Sequence, residues 1–184
     1  MKKYDKRDYP VGEVRTFLEP GPIVLVSSAW KGERNIMTMG WHMMAGFSSI
    51  CCYISTGNHS HHLIRNSKEC VINVPDVAIA TKVVDVGNSS GSHTDKFAEF
   101  GLTAVPGEEV GAPLIAECHS SFECSMVESG VAGDSSMFLF DVVKAHVARA
   151  PKYPRTIHYR GNRIFMISGE NTSKWSKRFR PGML

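Results

Sequence analysis

Apolar and polar positions along the first half of the chain predict short strands separated by turns. Residues 22–30 read PIVLVSSAW, and KGERN then supplies turn residues before a second apolar stretch, IMTMGW. Two stretches rich in β-forming residues on either side of a turn are typical of a hairpin. Further strands are predicted at ICCYIS, residues 50–55, and at CVINV, residues 70–74, which Pro75 ends.

Helical signals occupy the segments between these strands. HSHHLIRNSKE follows Asn58 and contains Ser60, and either residue can cap a helix start. DVAIATKVVDVG has apolar positions at helical spacing, with Asp76 near its beginning and Gly87 at its end. A polar loop, NSSGSHT, leads to a short helix candidate, DKFAEFG.

The second half of the chain is mostly strand-like. Strands are predicted within residues 114–129, 137–148 and 162–170, and PKYPRTIHYRG is interpreted as a connection because it contains two prolines. Six or so strands with interspersed helices and no regular βαβ alternation predict an antiparallel barrel with helices added at its edges. Because no repeat or boundary is evident, residues 1–184 are predicted to form a single domain.

Composition fits that expectation and narrows the class of protein. A chain of 184 residues with 42% hydrophobic and 21% charged residues can bury a full core without a stapling metal or disulfides. No apolar run approaches the ~18 residues of a membrane-spanning helix. The first residues, MKKYDKRDYP, also lack the apolar stretch of a signal peptide. We therefore expect a cytoplasmic protein with no membrane partner.

Charge and cysteine content add two expectations. The net charge of +3 is too small to indicate a nucleic-acid partner. The basic, aromatic C-terminal tail, residues 171–184, is expected to lie on the surface and pack its aromatic rings on a neighbouring subunit, with a nucleic-acid contact as the alternative. The five cysteines are odd in number and lie mostly in apolar stretches, so reduced thiols are predicted, with Cys51 and Cys52 on opposite faces of one strand.

Standard catalytic and metal patterns are not evident. His59 and His62 would share a helix face, but no third ligand follows at a metal-binding spacing, so no metal is predicted. No motif selects a Cys/His nucleophile among the five cysteines and eight histidines, and no catalytic residue is predicted. Walker A and GxGxxG loops are also missing, so any nucleotide must be held in another way.

Residues 35–60 carry the groups that an FMN site requires, namely an anion site, backbone donors and a flat apolar wall. The helix start at Asn58, His59 and Ser60 could hold the phosphate through its N–H groups. The ring edge could meet Asn35, Thr38 and the backbone of residues 37–40. Gly40 permits close approach, and Trp41 could pack on the ring. The simpler alternative is that MTMGW is only a half-buried strand.

Several ordered motifs resemble those of the flavin reductase-like, FMN-binding split-barrel family, which includes the flavoredoxins. The matching segments span about residues 20–170. They are Pro20 to Ser27, the NxMTxxW run from Asn35 to Trp41, the helix start at Asn58 with HHLI, ECVINVP from Glu69 to Pro75, Ser90-Gly91 with Asp95-Lys96-Phe97, PLIAEC from Pro113 to Cys118, and HYRGNxxFxxxGE from His158 to Glu170.

The resemblance implies a mostly β fold with added helices: a Greek-key split β-barrel that forms a homodimer with FMN near the subunit interface. It places along the ring Asn35, Met37, Thr38, Met39, Gly40 and Trp41, beside it Ser55 and Thr56, and at the phosphate Asn58, His59 and Ser60. Ser90 and Lys96 complete the implied site, with Lys96 as a charge partner or, alternatively, an exposed helix lysine. The chain departs from many relatives in having Asn58 in place of Arg, and Met39-Gly40 in the MTxSW motif.

The function implied by the resemblance is that of an FMN-binding oxidoreductase. NADH or NADPH would deliver a hydride to flavin N5, and the electrons would pass to free flavin, a metal chelate, oxygen or a protein acceptor. Two alternatives remain: an electron carrier between protein partners that does not turn over NAD(P)H, and a flavin- or haem-binding module without catalysis. No pair of arginines is clearly placed for the 2′-phosphate of NADPH.

Overall fold

The computed structural model describes residue 10 and residues 15–18, 21–127 and 136–178, which form eleven strands and four α-helices. The strands are β1 Val24–Trp30, β2 Glu33–Met39, β3 His42–Met44, β4 Ser49–Tyr53, β5 Glu69–Val74, β6 Ala104–Val105, β7 Leu114–Ile115, β8 Ser120–Met126, β9 Met137–Val147, β10 Ile157–Tyr159 and β11 Phe165–Ile167. The α-helices are α1 Arg15–Leu18, α2 His59–Ser67, α3 Ala80–Gly87 and α4 Lys96–Glu99, with 3₁₀ turns at Val77–Ile79 and Ser176–Arg178.

Seven strands form one curled antiparallel sheet in the order β2-β1-β5-β8-β9-β4-β3. The two outermost strands, β2 and β3, are consecutive along the chain and are joined by only Gly40 and Trp41. The sheet must therefore curve until its two edges lie side by side, which produces a half-barrel. This architecture confirms the predicted mostly β split-barrel fold. The short pairs β6–β7 and β10–β11 lie outside the main sheet.

The predicted first hairpin is confirmed. Trp30 pairs with Glu33, and the two turn residues between them, Lys31 and Gly32, have φ angles of 50° and 82°. Two consecutive residues with positive φ form the turn type whose twist matches that of the flanking strands. The register runs on to Val24 opposite Met39, so the far end of β2 is fixed beside the start of β1.

Both faces of β1 are buried, because helices cover the sheet on the outside. Val24 and Val26 face the barrel interior, where they join a cluster that includes the stacked rings of Phe138 and Phe140. Leu25 faces outward into a second cluster with α3 and α4. The helix start signals of this layer are also confirmed, since the carboxylates of Asp76 and Asp95 accept backbone N–H bonds at the first turns of their helices.

The second half of the chain differs from prediction in its strand boundaries. Residues 114–129 do not form one strand: the amide of Cys118 donates to the carbonyl of Ile115 (3.1 Å), and this turn separates β7 from β8. Strand β10 lies in the segment interpreted as a connection, and the three-residue β3 was not predicted. These strands are only two or three residues long, too short for an alternating pattern to develop.

The described residues also include all five cysteines, for which the sequence predicts reduced thiols. Cys51 is half-buried and Cys52 is buried, which confirms their placement on opposite faces of β4. All five cysteines are free thiols, and burial raises the pKa of Cys118 to about 12, so this thiol is unreactive near neutral pH.

Among the described residues, no helix has the length and apolar character that crossing a membrane requires.

Candidate functional site: a cleft beside the outer strand β2

A cleft of about 890 Å³ lies along the end of β2. Because β2 is the outermost strand, one of its backbone edges has no neighbouring strand in the sheet. The walls of the cleft come from β2, the residues after β4, helix α3 and the β10–β11 hairpin. The lining residues are Gly21, Ile23, Met37, Thr38, Met39, Gly40, Trp41, Tyr53, Ser55, Asn58, Val83, Val84, Gly87, Asn88, Tyr159, Arg163 and Phe165.

Helix α3 packs closely on β2 to form one wall. The hydroxyl of Thr38 donates a 2.6 Å hydrogen bond to the carbonyl of Val83. A Cβ atom at Gly87 would lie only 3.3 Å from Cβ of Thr38, so a residue without a side chain permits this close approach. The hydroxyl proton of Thr38 is therefore used within the protein, and its oxygen remains able to accept a bond from a ligand.

Two aromatic rings form the opposite side. The ring centroids of Trp41 and Tyr53 are 5.4 Å apart, and the rings are tilted by 58°. Trp41 is 54% exposed and Tyr53 is 41% exposed, which is unusual for large aromatic side chains. Gly40, between β2 and Trp41, has no other atom within 4 Å of the position a Cβ would occupy. This part of the cleft therefore offers flat apolar surface beside accessible backbone.

The start of α2 is fixed to β2 by a buried hydrogen bond. Asn35 is 3% exposed and Ser60 is fully buried, and Nδ2 of Asn35 donates to Oγ of Ser60 at 2.9 Å. Oδ1 of Asn35 is buried and has no hydrogen-bond partner among the described residues, and Gly91 packs directly against this side chain. Asn35 and Ser60 thus lie behind the cleft and hold its walls together, whereas the neighbouring Asn58 lines it.

Helix α2 begins without a side-chain cap. Asn58 occupies the cap position in an extended conformation, and its side chain makes no capping hydrogen bond. The first N–H groups of a helix have no partner within the helix and are satisfied by a cap, water or a ligand. The positive end of the helix dipole adds to their preference for an anion. This end of the cleft can therefore receive a phosphate group.

Lys96 is buried rather than exposed. It is 4% accessible, and its Nζ donates a 2.9 Å hydrogen bond to the carbonyl of Val86 in the last turn of α3. Burial lowers the pKa of this amino group. The alternative interpretation of Lys96 as an exposed helix lysine is therefore wrong. A cation at the C-terminal end of α3 interacts favourably with the helix dipole.

The structure brings together seven of the thirteen residues predicted for the site: Met37, Thr38, Met39, Gly40, Trp41, Ser55 and Asn58. The four that neither line the cleft nor belong to the Asn35–Ser60 bond have other surroundings. Thr56 is exposed, Oγ of Ser90 is 2.7 Å from Oγ of Ser92, and Lys96 is described above. His59 Nε2 lies 2.7 Å from a carboxylate oxygen of Glu33. Their assignment to cofactor binding stays a prediction.

The three histidines of α2, His59, His61 and His62, contact different groups. His61 meets the ring of Phe138 edge-on at 5.2 Å, and Nδ1 of His62 is 3.3 Å from Nδ2 of Asn66. Within the described ranges, no group of three or more His, Cys, Asp or Glu side chains is arranged to hold a metal ion.

Residues of α3 and of the β10–β11 hairpin were not assigned to the site from the sequence, although both elements line the cleft. Val83, Val84 and Gly87 lie on the helix that was predicted and Asn88 follows it, but the pattern gave no indication that this helix flanks the β2 edge. Tyr159, Arg163 and Phe165 fall in or next to the HYRGN motif. That motif was the available signal, since it repeats a family pattern in a segment without regular periodicity.

Comparison with known proteins agrees with this architecture. The sequence profile of the flavin reductase like domain matches residues 16–164. The chain belongs to this family. An uncharacterized protein of Archaeoglobus fulgidus is 28% identical over 152 residues, which cover 80% of this chain and 85% of that protein.

Two solved structures illustrate the shared fold. Flavoredoxin of Desulfovibrio vulgaris (Miyazaki F) superposes with a TM-score of 0.77 at 23% identity, covering 95% of this chain and 97% of that one. The FMN-binding domain of a flavin reductases-like enzyme from Shewanella baltica OS155 gives a TM-score of 0.73 at 23% identity, covering 89% and 94%. At this level of identity the likeness demonstrates the split-barrel fold.

Proposed function

We propose that this chain is an FMN-binding oxidoreductase of the NAD(P)H-dependent flavin reductase type, with FMN in the cleft beside β2. The observation that carries the proposal is that the strand from Met37 to Trp41 and the segment from Ser55 to Asn58 line one continuous cleft. Core side chains do not fill the space between them. The name of the Shewanella baltica neighbour, an FMN-binding domain, supports the same cofactor.

The chemistry of the walls suits a flat, phosphorylated ring. Met37, Met39 and Trp41 supply apolar surface, and the unpaired edge of β2 supplies backbone donors and acceptors for the polar edge of a ring. The uncapped start of α2 suits the phosphate. The Asn35–Ser60 hydrogen bond would keep these two parts of the cleft at a fixed separation.

Bound in this cleft, FMN would supply the redox chemistry, namely hydride acceptance at N5 and electron transfer to free flavin, a metal chelate, oxygen or a protein acceptor. The chain's residues bind and orient. Backbone N–H groups between Thr38 and Gly40 would stabilise the negative charge that a reduced ring carries, because fixed dipoles in an apolar cleft do so without reorganising. Trp41 and Tyr53 would exclude water from one face of the cleft.

A second copy of the chain is proposed to complete the site. The outward face of β3, β4 and β9 exposes Met43 (62%), Met137 (42%) and Val143 (48%), beside the half-buried Cys51 and Leu139. An apolar strand face of this kind is typical of an interface. Tyr53 on the same face also lines the cleft, so a twin chain here would cover the ring. Light scattering should give a dimer for the wild type and a monomer for Met137→Lys, whereas a wild-type monomer would contradict this part of the proposal.

Electron carriage without NAD(P)H turnover is the second candidate, favoured by the likeness to a flavoredoxin. The two candidates differ in what reduces the flavin. Anaerobic mixing with NADH or NADPH should bleach the flavin absorption promptly if the chain is a reductase. Bleaching only by a reduced redox protein would support the carrier instead. An absorption spectrum of the purified protein comes first, because a haem spectrum, or no binding of added FMN at micromolar concentration, would refute both.

A further inference from the structure

Arg163 is the single charged residue among the described residues that line the cleft; the rest are apolar, glycine or uncharged polar residues. No lining carboxylate competes for it. Resting on the function proposed above, we propose that Arg163 binds a phosphate group of the nicotinamide dinucleotide that reduces the flavin. Arg163 would thus favour binding of this phosphorylated electron donor and would not bind FMN.

The hairpin presents this arginine in a defined position. The rings of Tyr159 and Phe165, which pair across β10 and β11, are 5.1 Å apart, and both line the cleft. The backbone N–H of Arg163 donates to the hydroxyl of Tyr159 at 3.2 Å. The backbone of Arg163 is therefore attached to an aromatic pair that faces the cleft, and a flat ring could rest beside the same pair.

The turn that carries Arg163 is conformationally costly. Gly161, Asn162 and Arg163 have φ angles of 81°, 53° and 65°. A left-handed conformation at a non-glycine residue costs about 1–2 kcal/mol, and such residues are concentrated at functional sites. Hydrogen bonds close the turn, from the Arg160 amide to the Ile164 carbonyl (2.9 Å) and from the Ile164 amide to the Gly161 carbonyl (3.0 Å). The conformation is held although a glycine at position 163 would relieve it.

The hairpin and the start of α2 are attached to different points along β2. The amide of Ile23 donates to the carbonyl of Ile157 at 2.8 Å, which docks β10 beside the start of β1, next to Val24 and its partner Met39. The start of α2 is attached to Asn35. Asn35 and Met39 are four residues apart, which is about 13 Å along a strand. The helix start and the hairpin are therefore attached to β2 at two separate points, which suits two phosphate groups in one cleft.

Cleft size and charge both fit a second ligand. The cleft has a volume of about 890 Å³, near the upper end of the range of roughly 300–1,000 Å³ for small-molecule sites. A guanidinium group forms paired, charge-assisted hydrogen bonds with a phosphate, and such bonds are strengthened in apolar surroundings. The donor nucleotide carries a pyrophosphate, and NADPH an additional 2′-phosphate, so both sources share the chemistry that Arg163 recognises.

The test uses the flavin-loaded protein as wild type, Arg163→Gln, Arg163→Lys and the control Arg155→Gln, which removes an exposed arginine outside the cleft. Anaerobic stopped-flow reduction gives the Kd of NADH and of NADPH together with the limiting reduction rate, and a separate titration gives the Kd of FMN. We expect Arg163→Gln to raise the donor Kd at least about tenfold, with the limiting rate and the FMN Kd unchanged. Arg163→Lys should restore part of the affinity, and Arg155→Gln should behave as wild type.

Each outcome decides the proposal. A loss with both donors assigns Arg163 to the pyrophosphate, and a loss with NADPH alone assigns it to the 2′-phosphate; both support the inference. An unchanged Kd for both donors overturns the inference. A raised Kd for FMN also overturns it, because Arg163 would then lie at the flavin phosphate. If the wild type binds FMN but neither nucleotide, this inference fails while FMN binding stands. If the wild type binds no FMN, the proposed function fails and this inference fails with it.

Discussion

Around Glu123, polar groups are bonded to one another within the protein, whereas in the cleft beside β2 they are left available to a ligand. Glu123, on β8, is fully buried, and its carboxylate accepts backbone N–H bonds from Glu108 (3.1 Å), Glu109 (2.7 Å) and Val110 (2.9 Å). Nε2 of His146 lies 2.7 Å from the same carboxylate. Burial alone would raise the pKa of Glu123, but the bonds from His146 and the three amides outweigh it and lower the pKa to about 2.

In the cleft, polar groups are left available. Within the part of the chain that the structure describes, the helix start at Asn58 has no side-chain cap, the outer edge of β2 has no paired strand, and Oδ1 of the nearby Asn35 has no partner. Buried polar groups in a purely structural region are normally satisfied within the protein, as they are around Glu123. The comparison therefore distinguishes a region that stabilises the fold from a region arranged for a ligand.

Removing the carboxylate of Glu123 should produce the largest loss of stability. Glu123→Ala leaves three backbone N–H groups without an acceptor in a buried position, and we expect the free energy of unfolding to fall by about 3 kcal/mol. Chemical denaturation measures this loss, and Glu109→Ala, at an exposed side chain in the same loop, is the control. A loss below about 1 kcal/mol would contradict the structural role of the Glu123 cluster.

Acid should remove the same stabilisation in the wild type. The ordinary pKa of a glutamate is 4.5 and that of folded Glu123 is about 2. A depressed folded-state pKa stabilises the protein above pH 4.5, and the contribution disappears as pH falls from 4.5 towards 2. We expect this contribution to be about 3 kcal/mol. Denaturation of wild type and Glu123→Gln across this window should show their difference shrinking as pH falls; a constant difference would be inconsistent with the bonded carboxylate.

Ser60→Ala should affect both stability and the cleft. It leaves Nδ2 of Asn35 without its buried partner, so we expect a stability loss of about 1–2 kcal/mol. Because this bond fixes the helix start to β2, FMN should also bind more weakly, while riboflavin, which lacks the phosphate, should lose less affinity. Calorimetric titration with both ligands measures the difference. Equal losses for FMN and riboflavin would refute a link to the phosphate.

Trp41→Ala should have the smallest effect on stability and a clear effect on binding. Trp41 is 54% exposed, so we expect unfolding free energy to change by less than about 0.5 kcal/mol. Loss of an aromatic wall should weaken FMN binding roughly tenfold. Trp175→Ala is a matched control, because Trp175 is 57% exposed and lies outside the cleft. Similar FMN affinity in the two variants would argue against a ring-binding role for Trp41.

The central part of the fold could be predicted because its strands follow simple patterns. The β1–β2 hairpin combines β-forming residues with a turn at Lys31-Gly32. Asp76 caps the 3₁₀ turn that leads into α3, and Asp95 caps α4. The split of residues 114–129 into β7 and β8 could not be predicted, because the turn at Cys118 contains no Gly or Pro. The tail was expected to pack on a neighbouring subunit; residues 179–184 lie outside the described residues, and residues 171–178 are exposed.

The candidate site was predictable where it follows one strand and unpredictable where it depends on tertiary packing. Met37 to Trp41 were found because they are consecutive and match a family motif. Asn35 was assigned to the ring, whereas the structure buries it against Ser60, a distinction that alternation along β2 alone does not reveal. Arg163 comes from a distant hairpin, and tertiary contacts such as the docking of Ile157 beside Ile23 place that hairpin at the cleft.

Titration of two variants of α3 shows whether FMN occupies the cleft beside β2. Val84 lines the cleft, and Thr81 is exposed on the same helix outside it. A tryptophan should therefore block the cleft in Val84→Trp but not in Thr81→Trp. If FMN occupies this cleft, the wild type and Thr81→Trp will bind one FMN per chain with equal Kd, and Val84→Trp will lose binding while remaining folded. Equal FMN affinity in all three proteins would contradict it.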